Sequence, residues 1–172
     1  MPATSKGRDF EKQVKKSFEK RGYFIQKIPD VYIPAKAITD NAFVPRSWCD
    51  FIVFDGSKLG FIECKTTSYK SINIQREESE QNKMIKLHQI VSLNKFAEYE
   101  NVYGGLLLEF ENELDDVSTY YWPIEKFYEF LIKTDKKSCN QLDCVQYGAL
   151  FIPQKMLRTN YDYDVQKIVQ AS

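Results

Sequence analysis

Phe10, Val14 and Phe18 recur every four residues, and Lys12, Lys15, Lys16 and Lys20 fill the positions between them. That spacing predicts an amphipathic helix over about 6–21, with Ser5 at its N-cap and Gly22 as its stop. YFIQKI at 23–28 reads as a short strand, and 29–45, with three prolines and no sustained period, as an irregular excursion. WCDFIVF (48–54) and LGFIECKT (59–66) are β-rich runs joined by the turn sequence Asp55-Gly56-Ser57-Lys58, which predicts a hairpin. Residues 67–79 read as a polar loop. A long helix is expected over 79–100 from Met84, Leu87 and Val91 on one row and Ile85, Leu93 and Phe96 on the next, broken at Gly104-Gly105. GLLLEF (105–110) and VSTYYW (117–122) then read as strands paired across an acidic turn, and Pro123 opens a helix to about Lys133. The remainder reads as a loop with Cys139 and Cys144, a short apolar piece (YGALFI) and a flexible polar tail over 160–172. This order predicts an α/β fold, a mixed central sheet flanked by helices.

The length of 172 residues is that of one domain, expected over 1–172, and 43% hydrophobic with 15% aromatic residues excludes a disordered or low-complexity chain. Four cysteines are too few for a disulfide scaffold, and the amino-terminal stretch carries no apolar leader, so a cytoplasmic setting is expected. Apolar runs such as FIVF and LLL fall far short of the ~20 residues that span a bilayer, so no membrane partner is expected. The 24 basic and 24 acidic residues cancel overall but not locally. Residues 1–50 hold ten basic against six acidic, whereas 87–172 hold eight against thirteen. A basic front could orient a polyanion, or could simply be a solvated helix surface.

The chemistry concentrates on the hairpin. Alternation along LGFIECKT puts Phe61, Glu63 and Lys65 on one face and Ile62 and Cys64 on the other. Asp50 opens the partner strand at the end away from the turn, so antiparallel pairing brings it beside Glu63. Two neighbouring carboxylates raise each other's pKa unless a cation lies between them, and hard oxygen ligands suit Mg²⁺, which takes one or two carboxylates and keeps waters. The Cys64 carbonyl is a candidate third ligand. The pattern suits metal-dependent phosphoryl transfer, although the acid-x-Lys spacing taken alone also fits an ion pair at a hairpin edge.

Asp50, twelve residues, then Glu63-Cys64-Lys65 resembles the PD-(D/E)xK nuclease motif. That superfamily implies a restriction-endonuclease-like core, with a Glu on the first helix and often a Gln on the helix after the motif; Glu11 and Gln89 stand in those places. Within it the chain is most similar, over about 5–125, to RecU-type Holliday-junction resolvases of bacteria and phages. Lys6-Gly7 followed by Glu11, the motif spacing, and Leu-His-Gln-Ile at 87–90 carry that likeness. The resemblance implies metal ligands at Asp50, Glu63 and Gln89, a catalytic Lys65, and a catalytic or supporting Glu11. It further implies Mg²⁺ (with Mn²⁺ substituting), a homodimer, branched DNA as partner, a possible recombinase interaction, and a short projecting stalk at 29–45. The chain departs from the pattern at Trp48, where the family tends to have Thr, with Ser47 one place further off. A restriction, nicking or exonucleolytic enzyme, or a non-cutting DNA- or recombinase-binding module, would share the fold. His88 could contact phosphate or be an ordinary helix residue. Tyr120, Tyr121 and Trp122 could stack on bases or fill the core. Cys139 and Cys144 lack a second Cys/His pair for zinc, and the cysteines read as structural.

Overall fold

The four-residue apolar period of the amino-terminal segment becomes α1 (Ser5–Lys20), which buries Phe10, Val14, Ser17 and Phe18. The computed structural model describes residues 5–29, 47–111 and 116–171. α1 stops at Gly22, whose φ of 78° only a residue without Cβ adopts cheaply. Its N–H donates to the Glu19 carbonyl and that of Tyr23 to the Phe18 carbonyl, at 3.0 and 3.2 Å, closing the helix end.

The expected strand and hairpin follow as β1 (Phe24–Lys27), β2 (Phe51–Phe54) and β3 (Leu59–Thr67). β5 (Val102–Glu111), β6 (Val117–Pro123) and β8 (Leu150–Ile152) complete a six-stranded sheet in the order β1-β2-β3-β5-β6-β8. β3 and β5 are parallel and every other neighbouring pair is antiparallel, so the sheet is mixed. α2 (Leu87–Ala97) makes the crossover between the parallel pair, as a parallel connection requires.

Side-chain alternation on β3 divides the core in two. Ile62 and Cys64 join Phe10, Val14 and Phe18 of α1 on one side of the sheet. Phe61 joins Ile90 and Leu93 of α2, with Phe127 and Phe130 of α3 (Ile124–Lys133), on the other. Tyr120, Tyr121 and Trp122 are all buried, so the aromatic strand is core. The four cysteines are buried free thiols.

Three sequence expectations between β3 and β6 are corrected. The helix expected over 79–100 is only α2, because the chain before it makes other bonds. Asn82 turns left-handed (φ 58°), the Met84 N–H donates to Asn73 Oδ1 at 2.6 Å, and Ile85 bridges to Ile74 and is fully buried there. Within α2, Val91 faces solvent while Ile90 and Leu93 are buried. The polar stretch 67–79 is not all loop: β4 (Ile72–Asn73) pairs antiparallel with β7 (Ser138–Cys139). Gly104 and Gly105 do not break a helix but lie inside β5, where a Cβ on Gly105 would stand 2.4 Å from Cε2 of the Tyr121 ring.

After the short α4 (Gln141–Gln146) and β9 (Gln154–Met156), the described part of the tail expected over 160–172 forms β10 (Tyr161–Tyr163) and α5 (Gln166–Ala171). Tyr163, Val165 and Ile168 are fully buried in the α1-side core, and three apolar anchors in so short a stretch hold it down. The stalk assigned to 29–45 and the acidic turn after β5 lie outside the described residues, except for Pro29 and Asp116 at their edges.

Candidate active site

β2 and β3 pair with Phe51 opposite Ile62, which sets Asp50 beside Glu63 as the hairpin reading expects. Asp50 is fixed by three bonds. Its N–H donates to the Ile62 carbonyl at 3.1 Å, its carbonyl accepts from the Ile28 N–H at 2.8 Å, and its Oδ2 accepts from the Cys64 N–H at 2.8 Å. The last bond ties the carboxylate to the strand that carries Glu63 and Lys65, so backbone geometry sets the spacing of the acids.

Glu63 is 1% exposed. Its Oε1 accepts from both the Lys65 ammonium and Gln89 Nε2, the latter at 2.6 Å. Its Oε2 is buried without a hydrogen-bond partner among the described residues. A buried carboxylate oxygen left unpaired is costly, and such an atom in a polar cluster points to a missing ligand. Electrostatics agree. Burial raises the Glu63 pKa and Asp50 adds to it, against the opposing pull of Lys65 and Gln89. Burial likewise raises Asp50, against Lys65 and the Cys64 N–H. Burial works against the charge on Lys65, but Glu63 and Asp50 outweigh it and hold the ammonium protonated.

The donors at the site are hard carboxylate oxygens, of the class that Mg²⁺ takes. Two carboxylates with one idle buried oxygen suit an ion that fills its remaining positions with water, carbonyl or phosphate oxygen.

Glu11 reaches the site from α1, although a Glu on a Lys-rich helix would by default pair with Lys15 at i,i+4. Lys15 bridges to Glu19 at 3.6 Å, whereas Glu11 pairs with Lys27 and is felt by Asp50. Lys27 was missed in the sequence. Its place follows only from the register of the sheet, in which β1 pairs Lys27 with Phe51, the residue after Asp50. Gln89 is also at the site, but it turns its amide NH₂ toward Glu63. Its Oε1 is occupied, accepting from the Lys86 N–H at 3.1 Å at the start of α2. In this arrangement Gln89 holds Glu63, and direct ligation would require the amide to turn over and release Lys86. His88, the residue before Gln89, lines a separate cleft with Gln75, Glu78, Leu87, Val91 and Ser92.

The chain matches the Hjc Holliday junction resolvase of Archaeoglobus fulgidus over 84% of its own length and 95% of that chain, with a TM-score of 0.54 and 14% identity. The likeness is one of fold, restriction-endonuclease-like, with a mixed central sheet flanked by helices. In sequence, the chain is 28% identical over 178 residues to the SPbeta prophage-derived uncharacterized protein YotM of Bacillus subtilis strain 168, covering 98% of this chain and 87% of that protein. No family model matches. The fold expectation therefore stands, and the prophage relative accords with a phage connection, while neither comparison singles out the RecU type. No helix among the described residues is long and apolar enough to cross a membrane.

Proposed function

We propose that the protein is a Mg²⁺-dependent endodeoxyribonuclease that cuts branched DNA, with four-way junctions as its substrate in recombination or repair. The observation that carries this reading is the unpartnered, buried Oε2 of Glu63 beside Asp50, on the strand that also bears Lys65, within a nuclease fold. Asp50, Glu63 and the Cys64 carbonyl would hold the ion. Mg²⁺ bound there supplies polarisation of the scissile phosphate and a bound water of lowered pKa. Lys65 keeps its proton and presents a point charge, which neutralises charge developing on the phosphate oxygens or orients the attacking water. Gln89 fixes the rotamer of Glu63, and the Glu11–Lys27 pair sets the charge balance around Asp50.

Incubating the protein with labelled linear duplex, flap and four-way-junction DNA, with Mg²⁺ and with EDTA, tests the reading. Cleavage of the branched substrates in Mg²⁺ alone is expected. Asp50→Asn and Glu63→Gln should abolish it while DNA binding in Ca²⁺ persists, because phosphate contacts come from Lys and Arg elsewhere. Lys65→Ala should slow it on the order of 10²-fold or more. Equal cutting of linear duplex would instead make it a restriction or nicking enzyme, and binding without cutting a recognition module.

Junction preference is assigned to the segment 29–45. Its apolar content (Val31, Tyr32, Ile33, Ile38, Phe43, Val44) exceeds that of a plain solvated loop, and long functional loops carry binding. Replacing Ile33 through Ala42 with a short Gly-Ser linker should lower junction affinity far more than duplex affinity. An unchanged preference in the folded variant would remove the reason for reading a resolvase rather than another nuclease.

A further inference from the structure

Trp48 lies two residues before Asp50 and is 52% exposed, whereas the other tryptophan, Trp122, is fully buried. Its ring is not loose. It meets Phe96 of α2 edge-on, with centroids 5.5 Å apart and planes at 67°, and Phe96 in turn stacks on Phe61 at 4.5 Å. Phe61 shares its face of β3 with Glu63 and Lys65. The Ser47 hydroxyl donates to the Cys49 carbonyl at 2.7 Å and so braces the backbone on both sides of Trp48. A large indole surface is therefore held toward solvent at the end of an aromatic row that starts in the core beside the carboxylates.

We infer that Trp48 is a specificity-determining residue that stacks on an unpaired nucleobase of the strand being cut, next to the phosphate held at Asp50 and Glu63. Two extended residues span at most about 7 Å between Cα atoms and a duplex rises ~3.4 Å along its axis per nucleotide, so the Trp48 backbone lies within a few nucleotides of that phosphate. Beside two carboxylates, an uncharged π-surface can hold a neutral base where a further anionic phosphate would be repelled. Bases inside a continuous duplex have both faces covered by their neighbours. Only a nucleotide at a branch point, a nick or a single-stranded end offers a free face. Trp48 thereby makes the site favour DNA with an unpaired nucleotide at the cut, and it does so independently of any contribution from 29–45.

This inference rests on the nuclease reading, and its test separates the two. The intact protein in Ca²⁺ is titrated with duplex DNA, with duplex carrying a single-stranded overhang, and with four-way junction. Label anisotropy reports binding and tryptophan emission reports stacking, since Trp122 is shielded in the core. Overhang and junction DNA are expected to quench the emission and continuous duplex is not. Trp48→Ala should abolish the quench and weaken overhang binding on the order of tenfold, with duplex binding unchanged. Trp48→Phe, which keeps an aromatic face, should retain most of the affinity. Normal binding with no quench, or an equal loss for duplex and overhang in Trp48→Ala, overturns the role of Trp48 and leaves the nuclease reading standing. Absence of binding to any of the three DNAs takes both down.

Discussion

Gln89 Nε2 donates to Glu63 Oε1 at 2.6 Å, joining the first turn of α2 to the middle of β3. The same amide accepts from the Lys86 N–H, so the bond that starts the helix also selects which atom faces the carboxylate. A helix cap and a site residue are thereby one side chain. Gln89→Leu should raise the Mg²⁺ concentration needed for half-maximal single-turnover cleavage by about 10- to 100-fold, the usual cost of losing a group that orients a metal ligand. DNA binding in Ca²⁺ should be unaffected. An unchanged Mg²⁺ midpoint would leave Gln89 as a helix cap only.

Glu11 and Lys27 make a second test. Their ion pair keeps the Lys27 ammonium engaged next to Asp50, which is itself held by the Cys64 N–H. Glu11→Gln releases Lys27 to compete with a cation for Asp50. The expected effect is a loss of cleavage smaller than tenfold that higher Mg²⁺ reverses, because the ligands themselves remain. A loss as complete as that of Asp50→Asn would make Glu11 a ligand in its own right.

Where bonding is local the sequence was readable. The Gly22 stop, the hairpin turn and the face shared by Phe61, Glu63 and Lys65 follow from period-2 and period-3.6 patterns and one glycine, and they sufficed to place Asp50 beside Glu63. The misreadings all involve partners that no helical or strand period and no turn sequence announces. Ile85 continues a helical apolar row, yet it is bridged to Ile74 instead. Gly104-Gly105 looks like punctuation until the Tyr121 ring from β6 is known to lie over Gly105. The carboxyl-terminal segment is polar in composition, and its hold on the sheet comes from widely spaced anchors such as Tyr163, whose N–H donates to Ser17 Oγ at 3.0 Å and whose hydroxyl donates to Glu109 Oε2. Lys27 was passed over for the same reason, since its partner Glu11 lies on another element.

Gly105 supports a stability prediction. Its Cβ-free face lets Tyr121, 1% exposed, lie across β5. Gly105→Ala should destabilise the fold by about 1–3 kcal/mol through overpacking, read as a lower urea midpoint with unchanged m. Adding Tyr121→Leu removes the ring that the new methyl meets and should recover part of the loss. Additive losses in the double variant would place the strain elsewhere.

Asp162 on β10 gives the carboxyl-terminal docking a dependence on pH. Its Oδ1 accepts from Arg21 Nη1 at 2.8 Å and its Oδ2 from Lys20 Nζ at 2.5 Å, so it binds the end of α1. Burial works against its charge, but Lys20 and Arg21 outweigh that and hold the carboxyl below its ordinary value of 3.8. A carboxyl lowered in the folded state is protonated more readily in the unfolded chain, so its stabilisation is fully present above the unfolded pKa and is lost as the pH falls through the folded one. Both bridges are partly solvated and screened, which limits their joint worth to about 1 kcal/mol. Asp162→Asn should therefore unfold at lower urea than wild type at pH 7, and the gap should close as the pH drops below the carboxylate range and shrink in high salt. A gap that persists in acid would show that the substitution disturbs the packing of β10 against α1 rather than removing charge.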